Sequence, residues 1–343
     1  MNTIQQLVCE SPSRPPRLSL RTEKMPHPTR RRVLVKVEAT SVNPIDVKRA
    51  AGYGRRLLGL KGAARFPLAL GNDVAGVVQA VGPDCRRWRV GDHVFGVVPT
   101  GPQGAHASHV VVNEIYLRAP APGYGPAELA TLPYTFTTLW LALQGIGLTP
   151  DAAQGREVLV GGASGGLGRL ALQVLGHWGA RVTAVCGTAN VQACRDLGAA
   201  TVLDRTHQPL SSVPVQFDAS LNFGAWQDEA ELIGRLKPGA LGHATTVHPL
   251  LGSFDEHGWL GGALHARREW SRARQWVTAK GKATRYAWVL FQPSVAALDA
   301  LEALLPQLRL TLPVGLSVPL AEGARAFTHV EERRPGRAVL LPG

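Results

Sequence analysis

The chain has 343 residues, 45% of them hydrophobic and 18% charged, with a formal net charge of +12; this is a globular composition with room for two buried cores, not that of a disordered chain. No apolar run reaches the roughly 18 residues of a membrane helix, and the N-terminus has no secretory apolar centre, so a cytoplasmic protein without a membrane span is expected. The positive charge is dispersed apart from "TRRRV", "ARREWSRAR" and "EERRPGR", and no nucleic-acid motif accompanies it, so nucleic acid is not an expected partner.

In chain order, the first third reads as β-rich. "RRVLVKVEATSV", "LGNDVAGVVQAVG", "WRVGDHVFGVV" and "AHASHVVVN" are valine-rich runs punctuated by Gly, Pro, Asn and Asp, the pattern of short strands and turns. From about 130 to 290 the texture changes. The strand-like runs "EVLVGG", "RVTAVC", "TVLD", "FDASLN", "GALGHATTV" and "RYAWVLF" alternate with the helical stretches "RLALQVLGHWG", "NVQACRDLG" and "EAELIGRLKPG". Such alternation predicts a parallel sheet with helices on both faces. The tail, from "SVAALDALEALLPQL" to "RAVLLPG", returns to mixed strand and helix. The four cysteines, Cys9, Cys85, Cys186 and Cys194, form no CxxC pair and read as free thiols in a reducing compartment.

Residues 158–168, "VLVGGASGGLG", join a strand to a helix through a glycine-rich turn. Ala163, Gly165 and Gly168 fill the three positions of a G-x-G-x-x-G pattern, with alanine in the first. In a dinucleotide site such glycines let the backbone approach the pyrophosphate, and the helix start offers unpaired N–H groups to it. The following strand ends at Cys186, and Gly187, Thr188, Ala189 and Asn190 come next. An NAD site usually has Asp or Glu there for the ribose hydroxyls. Its absence predicts that a 2′-phosphate meets no like charge, and hence NADPH, with Thr188 or Asn190 to hydrogen-bond that phosphate and Arg195 and Arg205 as the nearest cations.

With these features the chain resembles the medium-chain dehydrogenase/reductase superfamily, over nearly its whole length. The pieces that carry the resemblance are "VNPIDVKRAAGYG", "LGNDVAGVVQAVG", "RVGDHVFG", "TLPYTFTTLWLAL", "GASGGLG", "CRDLGAATVLD" and "RYAWVLFQPSVAALDAL". Within it the chain is similar to the zinc-independent quinone oxidoreductase branch, reticulon-interacting mitochondrial oxidoreductase type. The resemblance implies an α/β fold: a β-rich GroES-like catalytic domain over 1–123 and 292–343, and a doubly wound Rossmann NADPH-binding domain over 124–291. It implies cofactor contacts from Thr137, Ser164, Gly165, Gly166, Leu167, Asn222, Val247, Ala287, Val289 and Gly336, beside Ala163, Gly168, Gly187, Thr188 and Arg205. Relatives often place Lys after "GTA" and Tyr after the third strand for the 2′-phosphate; here Asn190, Val191 and Arg205 stand in those regions.

Zinc-dependent members would carry Cys and a His-Glu pair where this chain has Asn43, Asn72 and Asp73. Asparagine is a poor zinc ligand, and no metal is expected. The implied reaction is hydride transfer to an activated C=C of an enone or enoyl thioester, or to a quinone, with a donor at the developing oxyanion. Tyr53, Asn43 and Asp46 are the candidate catalytic residues, Tyr53 as phenolic donor. "NPID" is also turn and cap chemistry, and Tyr53 between glycines also reads as a loop aromatic. His106 and His109 are not expected to be catalytic; His248 is better placed, just past the fifth strand. The Trp-rich segment 254–276 reads either as a cover over the substrate or as packing. The expected partners are a small-molecule substrate, an acyl carrier protein favoured by the basic surface, and a second copy of the chain pairing through "RYAWVLF". The alternative is an NADPH-binding interaction or regulatory protein with little catalysis.

Overall fold

Valine-rich runs form the early strands, several of which are buried along consecutive residues rather than on one face alone. The computed structural model describes residues 3–343; the first two residues of the expected 1–123 segment lie outside the described residues. Strands β1 (Thr3–Cys9), β2 (Leu18–Lys24), β3 (Arg32–Val42), β4 (Leu68–Ala69), β5 (Asp73–Val81), β6 (His93–Val97), β7 (His109–Asn113) and β8 (Leu117–Arg118) come first. They are followed by β9 (Glu157–Gly161), β10 (Arg181–Cys186), β11 (Thr201–Asp204), β12 (Ala219–Asn222), β13 (Gly242–Thr245) and β14 (Arg285–Trp288), then by β15 (Val314–Pro319) and β16 (Arg337–Leu341). Helices α1 (Pro44–Ala50) and α2 (Arg55–Gly59) interrupt the first set. The remaining helices are α3 (Pro126–Leu129), α4 (Pro133–Gly145), α5 (Pro150–Ala153), α6 (Gly166–His177), α7 (Val191–Asp196), α8 (Glu229–Gly234), α9 (Leu250–Thr278), α10 (Val295–Leu304) and α11 (Gly323–Glu331).

The chain divides into two units. The first takes the chain up to Thr137, Phe254–Gly258 and Gln292–Gly343. Its larger sheet runs β15-β16-β3-β5-β6-β8 with β7 also on β3, and β2-β1-β4 forms a smaller one. Returning β16 pairs antiparallel with β3 at Ala338↔Val42 and Leu340↔Thr40, so the C-terminus builds the same core as the N-terminal strands. Val33, Val35, Val37, Val74, Val78 and Val112 fill one side of that core, and Leu7, Val42, Leu70, Phe327 and Leu340 another.

The second unit takes Thr138–Ser253 and Trp259–Phe291. Its six strands are parallel in the order β11-β10-β9-β12-β13-β14. The chain runs outward from β9 to β11, then crosses to β12 on the other side of β9. The carboxyl end of β9 is thus a topological switch point, where doubly wound sheets bind ligands.

The strands "RVTAVC" and "TVLD" match β10 and β11 residue for residue. The division falls after Thr137 rather than after residue 123, and Phe254–Gly258 joins the first unit. The Trp-rich segment belongs to α9, which is broken at Gly258 with φ 73° and ψ −166°, a conformation natural to glycine alone. Helix α6 starts three residues before the apolar run "RLALQVL", because Gly165 is its extended N-cap.

Candidate active site

The glycine turn combines one tight bend with one open helix start. Gly162 has φ +71°, and a Cβ there would stand 2.6 Å from the Gly224 nitrogen, so only glycine fits. A Cβ on Gly168 would be 2.4 Å from the Ala163 Cα; α6 therefore packs directly against the turn. Gly165 is the opposite case: it is exposed, and a Cβ would meet only the Gly162 carbonyl oxygen, at 3.5 Å. As N-cap it lends no side-chain hydrogen bond to α6, so the first-turn N–H groups of Gly166, Leu167 and Gly168 are left to an outside acceptor. Ala163 is fully buried with its N–H on the Val185 carbonyl, and Ser164 is half-buried beside Gly165. Backbone donors, a helix dipole and room at Gly165 fit a pyrophosphate.

The end of β10 has an acidic neighbour that its own residues do not supply. Residues 187–190 hold no carboxylate, but Cys186 is in register with Asp204 of β11. The Thr188 hydroxyl donates to the Asp204 carboxylate and, with Thr206, holds it below its usual range. Arg205 is exposed, its backbone N–H on the Cys186 carbonyl. Arg169, a residue the sequence reading passed over, donates from Nε to the Ser164 carbonyl (2.9 Å) and from Nη2 to Asn190 Oδ1 (3.4 Å). Gly187 is half-buried against the Thr206 hydroxyl.

Asn222 closes β12 with its side chain turned inward. Its Nδ2 donates to the Ala225 carbonyl and to Glu229 Oε2, both at 2.8 Å, and its Oδ1 accepts the Gly224 N–H at 3.1 Å. Both Nδ2 hydrogens are thereby spent within the protein, so the Asn222 side chain has no donor left for a ligand. Buried Glu229 also accepts the Tyr286 hydroxyl (2.8 Å) and stands 3.1 Å from His243 Nε2. Burial works to raise its carboxyl, and His243, Asn222 and Tyr286 outweigh this and hold it low. Val247 is half-buried, Ala287 lies mid-strand on β14, and the Val289 N–H bonds the Thr245 carbonyl. His248 stacks on Trp288 at 4.7 Å and contacts the Val289 carbonyl through Nε2. Burial pushes its imidazole down to about 4, which keeps it neutral at pH 7.

In the first unit a polar cluster gathers where β3, β5 and β16 meet α1 and α4. Asn43 Nδ2 donates to Asp73 Oδ2 (2.8 Å), as does the Ser41 hydroxyl (2.6 Å), while the Tyr134 N–H takes Asp73 Oδ1 (2.7 Å). Arg337 Nη2 donates to Asn43 Oδ1. Burial lifts the Asp73 carboxyl to about 6 against all of these donors. Asp46 spends both oxygens on backbone, Oδ2 on the Asn43 N–H (2.8 Å) and Oδ1 on the Gly71 N–H (3.0 Å), so it caps α1 and fixes the turn before β5. Asn72 Nδ2 donates to the Val98 carbonyl (2.8 Å). Among the described residues no three His, Cys, Asp or Glu side chains gather as metal ligands.

Tyr53 stands past the other end of α1, half-buried in a turn whose neighbours Gly52 and Gly54 have φ +88° and +77°. Its N–H bonds the Lys48 carbonyl, and Lys48 Nζ lies 5.5 Å from its ring centre. Asp255, about two hundred residues away in sequence, accepts the N–H groups of Gly54 and Arg56 and clamps this loop. Thr137 lies on α4, fully buried, and its Oγ1 has no partner among the described residues. Gly336 (φ +81°) turns into β16 against Gly315, and His329 Nε2 engages its carbonyl. His106 is buried, with Nε2 on the Ser41 carbonyl. The parts played by Ser41, Tyr134, Asp255 and Arg337 are not legible in the sequence, because each acts through a partner remote along the chain.

The alcohol dehydrogenase GroES-like domain family matches residues 29–126. The Mus musculus protein named NAD(P)H oxidoreductase RTN4IP1, mitochondrial, is 34% identical over 321 residues, covering 87% of this chain and 78% of that one. The chain belongs to the quinone oxidoreductase-like branch of the medium-chain dehydrogenase/reductase superfamily. The quinone oxidoreductase structure from Coxiella burnetii shares the fold, with a TM-score of 0.82 and 22% identity over the full length of both chains. The CurK enoyl reductase structure does so at 0.78 and 22%, over 99% of each. Membership makes the chain an oxidoreductase that works with a nicotinamide dinucleotide. The expected cytoplasmic location is corrected: similar proteins from Mus musculus, Bos taurus, Homo sapiens and Danio rerio carry mitochondrial names, and the absence of a secretory signal had no bearing on that compartment. No helix among the described residues is long and apolar enough to cross a membrane.

Proposed function

We propose that this oxidoreductase uses NADPH to reduce an activated C=C bond, in an enone or an enoyl thioester, or a quinone. The observation that carries the reading is the glycine turn at the switch point of the parallel sheet, with an uncapped helix start and open space over Gly165. When bound, the reduced nicotinamide supplies a hydride. The chain's own part is to bind, orient and neutralise charge. Ala163–Gly168 holds the pyrophosphate on backbone N–H groups, with Gly187 and Thr188 at the ribose. Thr137 Oγ1, buried and unpartnered, is available to a polar group of the ligand, and Val247, Ala287, Val289 and Gly336 are proposed as backbone or apolar contacts. Tyr53 donates its phenolic proton toward the carbonyl oxygen on which charge develops. Asn43 and Asp46, their polar atoms already engaged, act by holding the α1 loop in place. Strand β14 ends its sheet, which supports a homodimer through that edge, and the net charge of +12 favours an acidic acyl carrier over a neutral one.

The test is NADPH oxidation by the full chain with an enone, a quinone and an enoyl thioester, each as free molecule and the last also on a carrier. Turnover is expected with at least one, and Tyr53→Phe should lower kcat by roughly hundredfold to thousandfold at unchanged NADPH affinity. Tight NADPH binding without turnover of any of them would instead favour a binding or regulatory protein.

A further inference from the structure

Resting on the NADPH reading above, we propose that Arg169 is the cation that receives the 2′-phosphate, and that its balance against Asp204 sets how strongly the protein prefers NADPH to NADH. Arg169 follows Gly168 directly, one turn into α6. Its guanidinium is fixed on two neutral acceptors: Nε on the Ser164 carbonyl of the glycine turn, Nη2 on Asn190 Oδ1 of the turn after β10. Those two turns flank the end of β10, the position from which a dinucleotide site of this fold addresses the ribose hydroxyls. Arg169 forms no ion pair among the described residues, and its Nη1 makes no hydrogen bond there, so its charge and a donor remain unused. Planar, permanently charged and already oriented, it suits a phosphate better than a freely moving lysine would.

The other cations nearby are less prepared. Arg195 and Arg205 are exposed, and among the described residues no hydrogen bond orients either side chain, so each would lose side-chain freedom on meeting a phosphate. Asp204 works in the opposite sense. Its carboxylate lies at the end of the adjacent strand, held ionised by Thr188 and Thr206, and it repels a 2′-phosphate while accepting bonds from a ribose hydroxyl.

The experiment measures dissociation constants of the full chain for NADPH and NADH by nicotinamide fluorescence. Arg169→Met, Arg169→Lys, Asp204→Asn and Arg205→Met are compared, with circular dichroism to confirm folding. Arg169→Met should weaken NADPH by roughly tenfold to hundredfold, the range of a charge-assisted hydrogen-bond pair, and leave NADH within about twofold. Arg169→Lys should fall between, Asp204→Asn should tighten NADPH, and Arg205→Met should change little. Adenosine 2′,5′-bisphosphate should compete better than adenosine 5′-monophosphate with the wild type, and equally with Arg169→Met. Equal weakening of both cofactors by Arg169→Met and Arg169→Lys would mean that Arg169 only supports the turn. A wild-type preference for NADPH that survives Arg169→Met, or that Arg205→Met abolishes, overturns the assignment and leaves the NADPH reading standing. Equal wild-type affinities for NADPH and NADH would overturn the NADPH reading, and the assignment with it.

Discussion

Replacing Gly165 with aspartate sets a carboxylate at the mouth of the glycine turn. The backbone tolerates it: φ at Gly165 is −76°, open to any residue, and the new Cβ makes one ordinary contact, 3.5 Å from the Gly162 carbonyl oxygen. Aspartate is also a better N-cap than glycine by a few tenths of a kcal/mol, so the melting temperature should be unchanged or slightly raised. Binding should suffer twice. The carboxylate takes the N–H groups of Leu167 or Gly168 that an anion would otherwise use, and it stands as a like charge beside the pyrophosphate. At about 4 Å and an effective dielectric constant of about 20, that repulsion is about 4 kcal/mol. Exposure of Gly165 to solvent screens about half of it, and the remaining ~2 kcal/mol corresponds to a roughly thirtyfold rise in Kd. Fluorescence titration with NADPH and NADH reads this directly, and both should weaken, since the pyrophosphate is common to them. A folded Gly165→Asp protein with unchanged affinity for both would refute the placement of the pyrophosphate on this turn.

Two further predictions concern pH. The Asp73 carboxyl is raised from 3.8 to about 6 in the folded protein, so its contribution to stability is full below pH 3.8 and is lost as pH rises through 6. Asp73→Asn cannot ionise, and the wild type should therefore lose about 1 kcal/mol relative to it between pH 5 and 7.5 in urea unfolding; a pH-independent difference would contradict the burial of an ionisable Asp73. His248 is lowered from 6.5 to about 4; its contribution is present above pH 6.5 and lost as pH falls through 4. His248→Gln should accordingly lose about 2–3 kcal/mol less than the wild type between pH 7 and 4.5, and parallel acid-unfolding curves for the two would show that the imidazole is not held neutral.

Much of the site was legible because its chemistry is local. The strand–turn–helix at 157–177 is written in consecutive residues: β-branched runs favour β9, glycines allow the bend at Gly162 and the close approach at Gly168, and an amphipathic run continues as α6. The α1 cap was legible for the same reason, since Asn43 and Asp46 are three residues apart. Helix α9 is not legible as a helix in the sequence. Its glycines and scattered tryptophans give no clean apolar stripe, and the break at Gly258 interrupts whatever period there is.

The sequence by itself determined the family, the alternation that yields a parallel sheet, and the turn that offers backbone donors to a pyrophosphate. Each follows from side-chain size, periodicity or the freedom of glycine within a few consecutive residues. Only the tertiary structure decided the electrostatics. Asp204 reaches the end of β10 through strand register, Arg169 is fixed by an acceptor on another turn, and Asp255 holds the Tyr53 loop from about two hundred residues away. Arg337 meets Asn43 across nearly the whole chain because β16 pairs with β3. Charge acts through space, and distance in space is fixed by sheet pairing and packing rather than by spacing along the chain.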